Sequence, residues 1–188
     1  MKEKKINELM VPLSEYAIVN TEDTLKTAIK TLYESHKTST NKYMYKHRAV
    51  LVQDKKDHIV GKVGPLDVLR ALEPKYCKLG TSEQFYKMGL SRFGLSNDFI
   101  HSLTEQYCLW DESCESLVKT ASGLKIESIM YTPDEGEYVN EEANLAEAIH
   151  QFILGHHQSL LVLKKEKVIG ILRLSDVFEF VGDMMMEE

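Results

Sequence analysis

Hydrophobic and polar positions follow the same order at both ends of this chain. Near each end, a short apolar stretch precedes a segment whose apolar residues recur every three or four positions, as on one face of a helix. Two further apolar runs follow, and a polar stretch suited to a hairpin turn separates them. A last helical segment closes each unit. The pattern therefore predicts strand, helix, strand, strand and helix, twice.

The first helix of each unit has a recognisable start and one apolar face. Thr24 and Asn144 stand where an N-cap is expected, and Glu147 completes a capping-box pattern after Asn144. The apolar residues at helical spacing are Leu25, Ala28, Ile29 and Leu32 in the first unit and Leu145, Ala148, Ile149 and Phe152 in the second.

Residue matches indicate that the two units are copies of one repeat. They keep the same order while the offset falls from 120 to 110 and then to 109, so the first copy carries ten extra residues between helix and strand and one further turn residue. The matched pairs include Ile6 and Ile126, Met10 and Met130, His47 and His157, Gly61 and Gly170, and Asp67 and Asp176. Such ordered matches indicate an internal duplication.

The segment between the copies is too long for an ordinary loop, and it contains helical spacing of its own. Phe99, Ile100 and Leu103 fall on one face of a predicted helix, and a second short helix is expected around Cys114. We therefore divide the chain into a first repeat (1–73), a helical insert (74–125) and a second repeat (126–188).

Charge is distributed unevenly along the chain. The net charge is -6, but residues 1–73 carry +3 and the remainder carries -9. An acidic chain is a poor candidate for nucleic-acid binding, which depends on neutralising phosphates, although a locally basic region can hold a small anion. The charged start lacks the apolar segment of a signal peptide, and no apolar run approaches the roughly 20 residues of a membrane span. We expect a cytoplasmic protein without membrane association.

No known catalytic or metal-binding motif stands out. Cys77, Cys108 and Cys114 form no CxxC pair, which favours reduced thiols over a disulfide framework or a zinc site. His156 and His157 are adjacent and cannot easily bind one ion together. There is also no P-loop and no G-x-S-x-G motif. We therefore expect neither a metal nor an enzymatic activity.

The repeated motifs resemble those of a tandem pair of CBS domains, a Bateman module. The family pattern has a segment ending in methionine, a strand preceded by arginine, and a G-h-h-[T/S]-x-x-D frame (h, hydrophobic) that enters the last helix. Here the corresponding stretches are NELM and ESIM, HRAVLV and HQSLLV, and GKVGPLD and GILRLSD. The resemblance implies an α/β (α+β) fold, with two β-α-β-β-α repeats in a pseudo-two-fold arrangement around a helical insert.

The same resemblance implies a ligand-sensing function. CBS pairs form two clefts that take adenosine-containing ligands such as AMP, ADP, ATP, S-adenosylmethionine or NAD, and many associate as homodimers. We expect this chain to regulate an unidentified partner protein. A nucleotide-independent interaction module with decayed clefts is the alternative. Asp67 and Asp176 are central here, because a carboxylate at a helix start accepts hydrogen bonds from ribose hydroxyls; both are equally explained as helix N-caps.

The candidate binding residues follow the motif, with two departures. Gly64 and Arg173 replace the family's Thr or Ser, and Arg173 offers a guanidinium for a phosphate instead. Ile18 and Tyr138 either flank adenine or pack in the core. The basic segment from His36 to Arg48 either closes over a polyphosphate or is a solvated loop. The candidate nucleotide-binding residues are Ile18, His47, Arg48, Gly61, Asp67, Tyr138, His157, Gln158, Gly170, Arg173 and Asp176.

Overall fold

Each repeat folds in the predicted order. The computed structural model describes residues 5–38, 48–79 and 97–186. The strands are β1 (Val11–Pro12), β2 (Ile18–Asn20), β3 (Val50–Gln53), β4 (Ile59–Val63), β5 (Tyr138–Asn140), β6 (Ser159–Lys164) and β7 (Lys167–Arg173). The helices are α1 (Ile6–Leu9), α2 (Leu25–Thr38), α3 (Pro65–Leu72), α4 (Asn97–Gln106), α5 (Cys114–Ser122), α6 (Leu145–Gly155) and α7 (Leu174–Met186).

The strands form two sheets of the same internal design. One sheet has the order β2-β3-β4 and the other β1-β7-β6-β5. Within each repeat, the first two strands are parallel and are joined by a helix, whereas the last two form an antiparallel hairpin. A parallel pair needs a crossover connection, which α2 and α6 supply. The mixed α/β fold predicted from the sequence is confirmed.

The strand registers of the two repeats agree residue by residue. Ile18 lies opposite Leu51, and Tyr138 lies opposite Leu161. The hairpins are irregular at the same place, directly after Val52 in the first repeat and after the aligned valine in the second. Because a slip of one residue would exchange the buried and exposed faces, this agreement supports the alignment of the two copies.

The opening segment of each repeat packs onto the other repeat. Ile6 and Ile126 are fully buried, but Ile6 belongs to the core of the second repeat and Ile126 to that of the first. Val11 pairs with Ile171 on β7, and Tyr131 pairs with Lys62 on β4 in the equivalent way. Each repeat is one continuous stretch of sequence, 1–73 or 126–188. The hydrophobic core of each repeat, however, includes the opening segment of the other repeat.

A third apolar cluster joins the two sheets. Its buried members are Leu51, Leu161 and Ile171, which come from both repeats. Ile18 and Tyr138 are half-buried against this cluster. Both residues therefore pack against the core, which was one of the two interpretations of the sequence.

Two predicted helix starts are confirmed. The Thr24 hydroxyl accepts a hydrogen bond from the Thr27 amide at 3.2 Å. The Asn144 side chain accepts one from the Glu147 amide at 2.9 Å. Each side chain satisfies a backbone donor that has no partner within the first turn of its helix.

The insert contains α4 and α5 among its described residues. Ala121 of α5 belongs to the core of the first repeat. Glu73 follows α3 and is almost completely buried, and its carboxylate accepts a hydrogen bond from the Trp110 amide at 2.8 Å. The sequence analysis did not identify this link between the first repeat and the insert. In the described ranges, every helix is too short or too polar to cross a lipid bilayer.

Candidate functional site

The repeated glycine makes room for the chain itself. A Cβ atom on Gly61 would lie 2.8 Å from the Met130 sulfur, and one on Gly170 would lie 2.6 Å from the Val11 carbonyl oxygen and 2.9 Å from the Met10 sulfur. Both glycines are among the nucleotide-binding residues predicted from the sequence. In the structure the opening segment of the other repeat occupies the space beside each glycine, which explains why the glycine and the methionine recur together.

Asp67 lies in the third position of α3. We use the name first cleft for the region that contains Asp67 and the group formed by Lys62, Tyr131, Glu137 and His157. Asp67 is not the N-cap that one interpretation of the sequence expected; Gly64 is. One Asp67 oxygen, Oδ2, accepts a hydrogen bond from the Gly64 amide at 2.8 Å. The other oxygen, Oδ1, lies 3.6 Å from the Arg70 guanidinium. Pro65 opens the helix, where its missing N–H costs nothing.

Burial of Asp67 leaves its carboxylate with incomplete compensation. Desolvation raises the pKa of this carboxyl, although the Gly64 hydrogen bond, Arg70 and the more distant Lys62 act in the opposite direction. A raised pKa means that the charged form is less well stabilised here than in water. Such a group in a cleft is a candidate for contact with a ligand.

A buried ionic group lines the same cleft. The Lys62 ammonium lies 2.8 Å from Glu137 Oε1, and the two side chains are 16% and 3% exposed. His157 Nδ1 lies 3.4 Å from the same oxygen. The ammonium also stands 5.2 Å from the centre of the Tyr131 ring. Burial, followed by the negative charge of Glu137, raises the pKa of the Tyr131 phenol.

Sequence reasoning identified His157 in this group but missed its two central members. Glu137 directly precedes β5, and its Oε2 is buried without a hydrogen-bond partner among the described residues. Lys62 is the fourth of the five residues of β4, and the aligned residue of the second repeat is Ile171. A lysine in place of a core isoleucine is the one sequence signal that pointed to this position.

The second cleft is centred on Asp176 and differs in its partners. The Arg173 guanidinium binds both carboxylate oxygens of Asp176, with Nε 2.6 Å from Oδ2 and Nη2 bonded to Oδ1. Arg173 is 6% exposed and Asp176 8%. Asp176, like Asp67, lies in the third position of its helix and is not an N-cap. The guanidinium that the sequence offered to a phosphate therefore holds a carboxylate of its own chain.

Tyr16 lies next to this ion pair. It is half-buried and packs against the cluster that contains Ile171. Burial raises the pKa of the Tyr16 phenol to about 12, while the nearby Arg173 lowers it and Asp176 raises it further. The second cleft therefore holds a paired arginine and aspartate, and Tyr16 packs against the cluster that contains Ile171 of the same strand.

Other predicted residues lie around these clefts. Gln158 is exposed, and its backbone carbonyl oxygen accepts a hydrogen bond from the Leu174 backbone amide at 3.0 Å. Arg48 is exposed at the edge of an apolar cavity of about 280 Å³. His47 lies outside the described residues. The cavity is lined by Ala28, Ile29, Leu32, Arg48, Val50, Val63, Pro65, Val68 and Leu69.

Comparison with known proteins agrees with this architecture. Residues 126–183 match the family model of the CBS domain. No curated protein sequence matches the chain. Solved structures are similar to it at low sequence identity, so their likeness concerns the fold.

Three of these structures illustrate the likeness. A CBS-domain protein of unknown function from Bacillus anthracis superposes with a TM-score of 0.60 at 15% identity, covering 96% of this chain and 94% of that one. CBSX2, solved in complex with AMP, gives 0.57 at 16% identity and covers 96% and 98%. MJ1004 from Mathanocaldococcus jannaschii gives 0.56 at 18% identity; 96% of this chain spans only 60% of that protein.

The family match falls on the second repeat, and the fold likeness extends over both repeats and their crossed opening segments. Residues 126–183 therefore match the CBS-domain family, and the fold of the whole chain is similar to that of solved CBS-domain proteins.

Proposed function

We propose that this chain is a regulatory module that binds an adenosine nucleotide, AMP, ADP or ATP, in the first cleft. The observation that carries the proposal is the state of Asp67. Its carboxylate is largely buried, accepts one hydrogen bond among the described residues, and has a raised pKa caused by desolvation. Hydroxyl donors from a ribose would supply the missing hydrogen bonds.

Arg48 and His157 are the side chains that we propose for the phosphate part of the ligand. Arg48 is exposed beside the apolar cavity into which the first turn of α3 faces through Pro65 and Val68. His157 lies on the Glu137 side of the first cleft. A charge-assisted hydrogen bond from the Arg48 guanidinium contributes roughly 1.5–3 kcal/mol, more than an exposed helix start offers. Phosphorylated ligands are therefore favoured over S-adenosylmethionine.

The fold relatives support the same ligand class. CBSX2 was solved with AMP, and the motifs shared with CBS pairs imply a sensor of adenosine compounds. Under this proposal, the nucleotide changes how the chain acts on an unidentified partner protein. The homodimeric state and the cytoplasmic location stay predictions.

An interaction module that binds no nucleotide is the second candidate. Gly64 has no hydroxyl where the family has Thr or Ser, and Pro65 has no backbone N–H to donate. These two losses weaken the usual way of holding a phosphate. Retention of an incompletely paired Asp67 argues for the nucleotide.

Thermal unfolding separates the two candidates. The protein is heated alone and with AMP, ADP, ATP, NAD and S-adenosylmethionine. A nucleotide at 100 times its Kd adds about 2.7 kcal/mol of stability, or roughly 5–10 °C for a chain of this size. The shift is expected to disappear in Asp67→Asn and to persist in Asp183→Asn, a matched change at an exposed position of α7. No shift with any of the five compounds would contradict the proposal and favour the interaction module.

A further inference from the structure

We infer that the two clefts are not equivalent: the chain's own Arg173 and Tyr16 close the second cleft, so that one chain binds one nucleotide, at Asp67. The stoichiometry in this inference rests on the proposed function. The closure itself rests on the geometry of the second cleft alone.

The ion pair in the second cleft already satisfies the carboxylate that a ribose would need. Arg173 binds both oxygens of Asp176 in a parallel, bidentate arrangement, and both residues are buried. Charge-assisted bidentate pairs are among the stronger hydrogen-bonded contacts in proteins. A neutral ribose hydroxyl would have to break the two charge-assisted bonds between a buried guanidinium and a buried carboxylate, which is unfavourable.

Tyr16 packs on the same strand that carries Arg173. It packs against the cluster of apolar residues that joins the two sheets. The charges of Arg173 and Asp176 act on the pKa of the Tyr16 phenol in opposite directions. The ring itself packs beside β7, the strand that ends at Arg173.

The equivalent positions of the first cleft carry no side chains. The offset of 109 places Gly64 where the second repeat has Arg173, and the offset of 120 places Gly136 where the first repeat has Tyr16. The β3–β4 and β6–β7 hairpins agree in register, so Gly64 and Arg173 are structurally comparable. Gly136 lies inside a short 3-10 helix, Glu135–Glu137, whereas Tyr16 directly follows one, Leu13–Glu15. Gly64 offers Asp67 no guanidinium, and the Asp67 carboxylate accepts one hydrogen bond among the described residues, whereas Arg173 binds both oxygens of Asp176.

Matched aspartate variants test the inference by titration calorimetry with AMP, ADP and ATP. The wild type is expected to bind one nucleotide per chain. Asp67→Asn is expected to lose that binding, and Asp176→Asn is expected to keep it at a temperature where the variant is folded. Two nucleotides per wild-type chain, or loss of binding in a folded Asp176→Asn variant only, would overturn the inference.

A double variant tests whether these two side chains are what closes the cleft. Tyr16→Gly with Arg173→Gly reproduces the side chains of the first cleft. If circular dichroism shows that it is folded, it is expected to bind two nucleotides per chain. A folded double variant that still binds one would overturn the inference.

Melting temperatures measured without nucleotide test the closure of the second cleft independently of nucleotide binding. Asp176→Asn is expected to lower the melting temperature by several degrees, because it removes the charged carboxylate that Arg173 binds through both oxygens. Asp67→Asn is expected to leave the melting temperature unchanged or to raise it. Equal melting temperatures for Asp176→Asn and the wild type would overturn the closure. If the wild type binds no nucleotide while Asp176→Asn is destabilised, the proposed function fails but the closure stands.

Discussion

The backbone of Val11 passes so close to Gly170 that a methyl group on this glycine would lie 2.6 Å from the Val11 carbonyl oxygen. This contact joins the opening segment of the first repeat to β7 of the second. The neighbouring atom belongs to the backbone of a paired strand, so it cannot rotate away as a side chain would. The glycine of the repeated frame therefore allows the two repeats to interlock.

Gly170→Ala is expected to lower the free energy of unfolding by about 1–3 kcal/mol through overpacking. Gly182→Ala is the matched control, because this glycine lies in α7 with no atom within 4 Å of an added Cβ. The control is expected to raise stability by roughly 0.5–1 kcal/mol, since alanine is the better helix former. Urea denaturation measures both. Similar stabilities for the two variants would refute the packing argument.

Lys62→Met is expected to be strongly destabilising, because it leaves the Glu137 carboxylate buried without its cation. Breaking one side of a buried pair costs about 3–5 kcal/mol. A Lys62→Met, Glu137→Gln double variant is expected to recover part of this loss. Lys164→Met, which removes a 59% exposed partner of Glu141, serves as the control and is expected to change little. If urea denaturation gave equal losses of stability for the two lysine substitutions, the buried Lys62–Glu137 pair would contribute no more than the exposed Lys164–Glu141 pair, which would contradict the prediction.

Tyr16→Phe is expected to change how stability depends on alkaline pH. The folded-state pKa of Tyr16 is raised from 10.0 to about 12, so the unfolded chain loses this proton first as the pH rises. The wild type therefore keeps the full contribution below pH 10 and loses it between pH 10 and 12, by up to about 2.7 kcal/mol. The phenylalanine variant lacks this loss. Urea denaturation at a series of alkaline pH values measures the free energy of unfolding of both proteins. The difference between the two values is expected to change from pH 10 to pH 12, and a constant difference would contradict the prediction.

Glu73→Ala is expected to loosen the insert from the first repeat. The Glu73 carboxylate accepts hydrogen bonds from the amides of Trp110 at 2.8 Å and Lys75 at 3.2 Å. Leaving such donors without an acceptor costs roughly 1–3 kcal/mol. Trp110 is the single tryptophan of the chain, so acrylamide quenching of its fluorescence should increase. Glu105→Ala, at an exposed position of α4, is the control and should leave the quenching unchanged.

Local patterns in the sequence were sufficient for the elements and their order. The helix faces, the Thr24 and Asn144 caps and the hairpins depend on residues a few positions apart, and the structure has them where they were predicted. The duplication was also visible, because ordered matches survive a change in offset. Periodicity and capping are short-range properties, and a single chain displays them directly.

Contacts between distant residues were not predictable in the same way. Lys62 and Glu137 are 75 positions apart, and only the crossing of the opening segments brings them within 2.8 Å. Arg173 was predicted to serve a phosphate, yet its neighbour Asp176 takes the guanidinium because both are buried together.

The sequence by itself determined two β-α-β-β-α repeats, their caps and the recurring glycine frame. The tertiary structure decided that each repeat completes the other's core and that Asp176 is paired whereas Asp67 keeps an incompletely bonded oxygen. The physical reason is that burial and pairing of charges depend on which surfaces meet. Those surfaces come from opposite ends of the chain, and no local pattern records their contact.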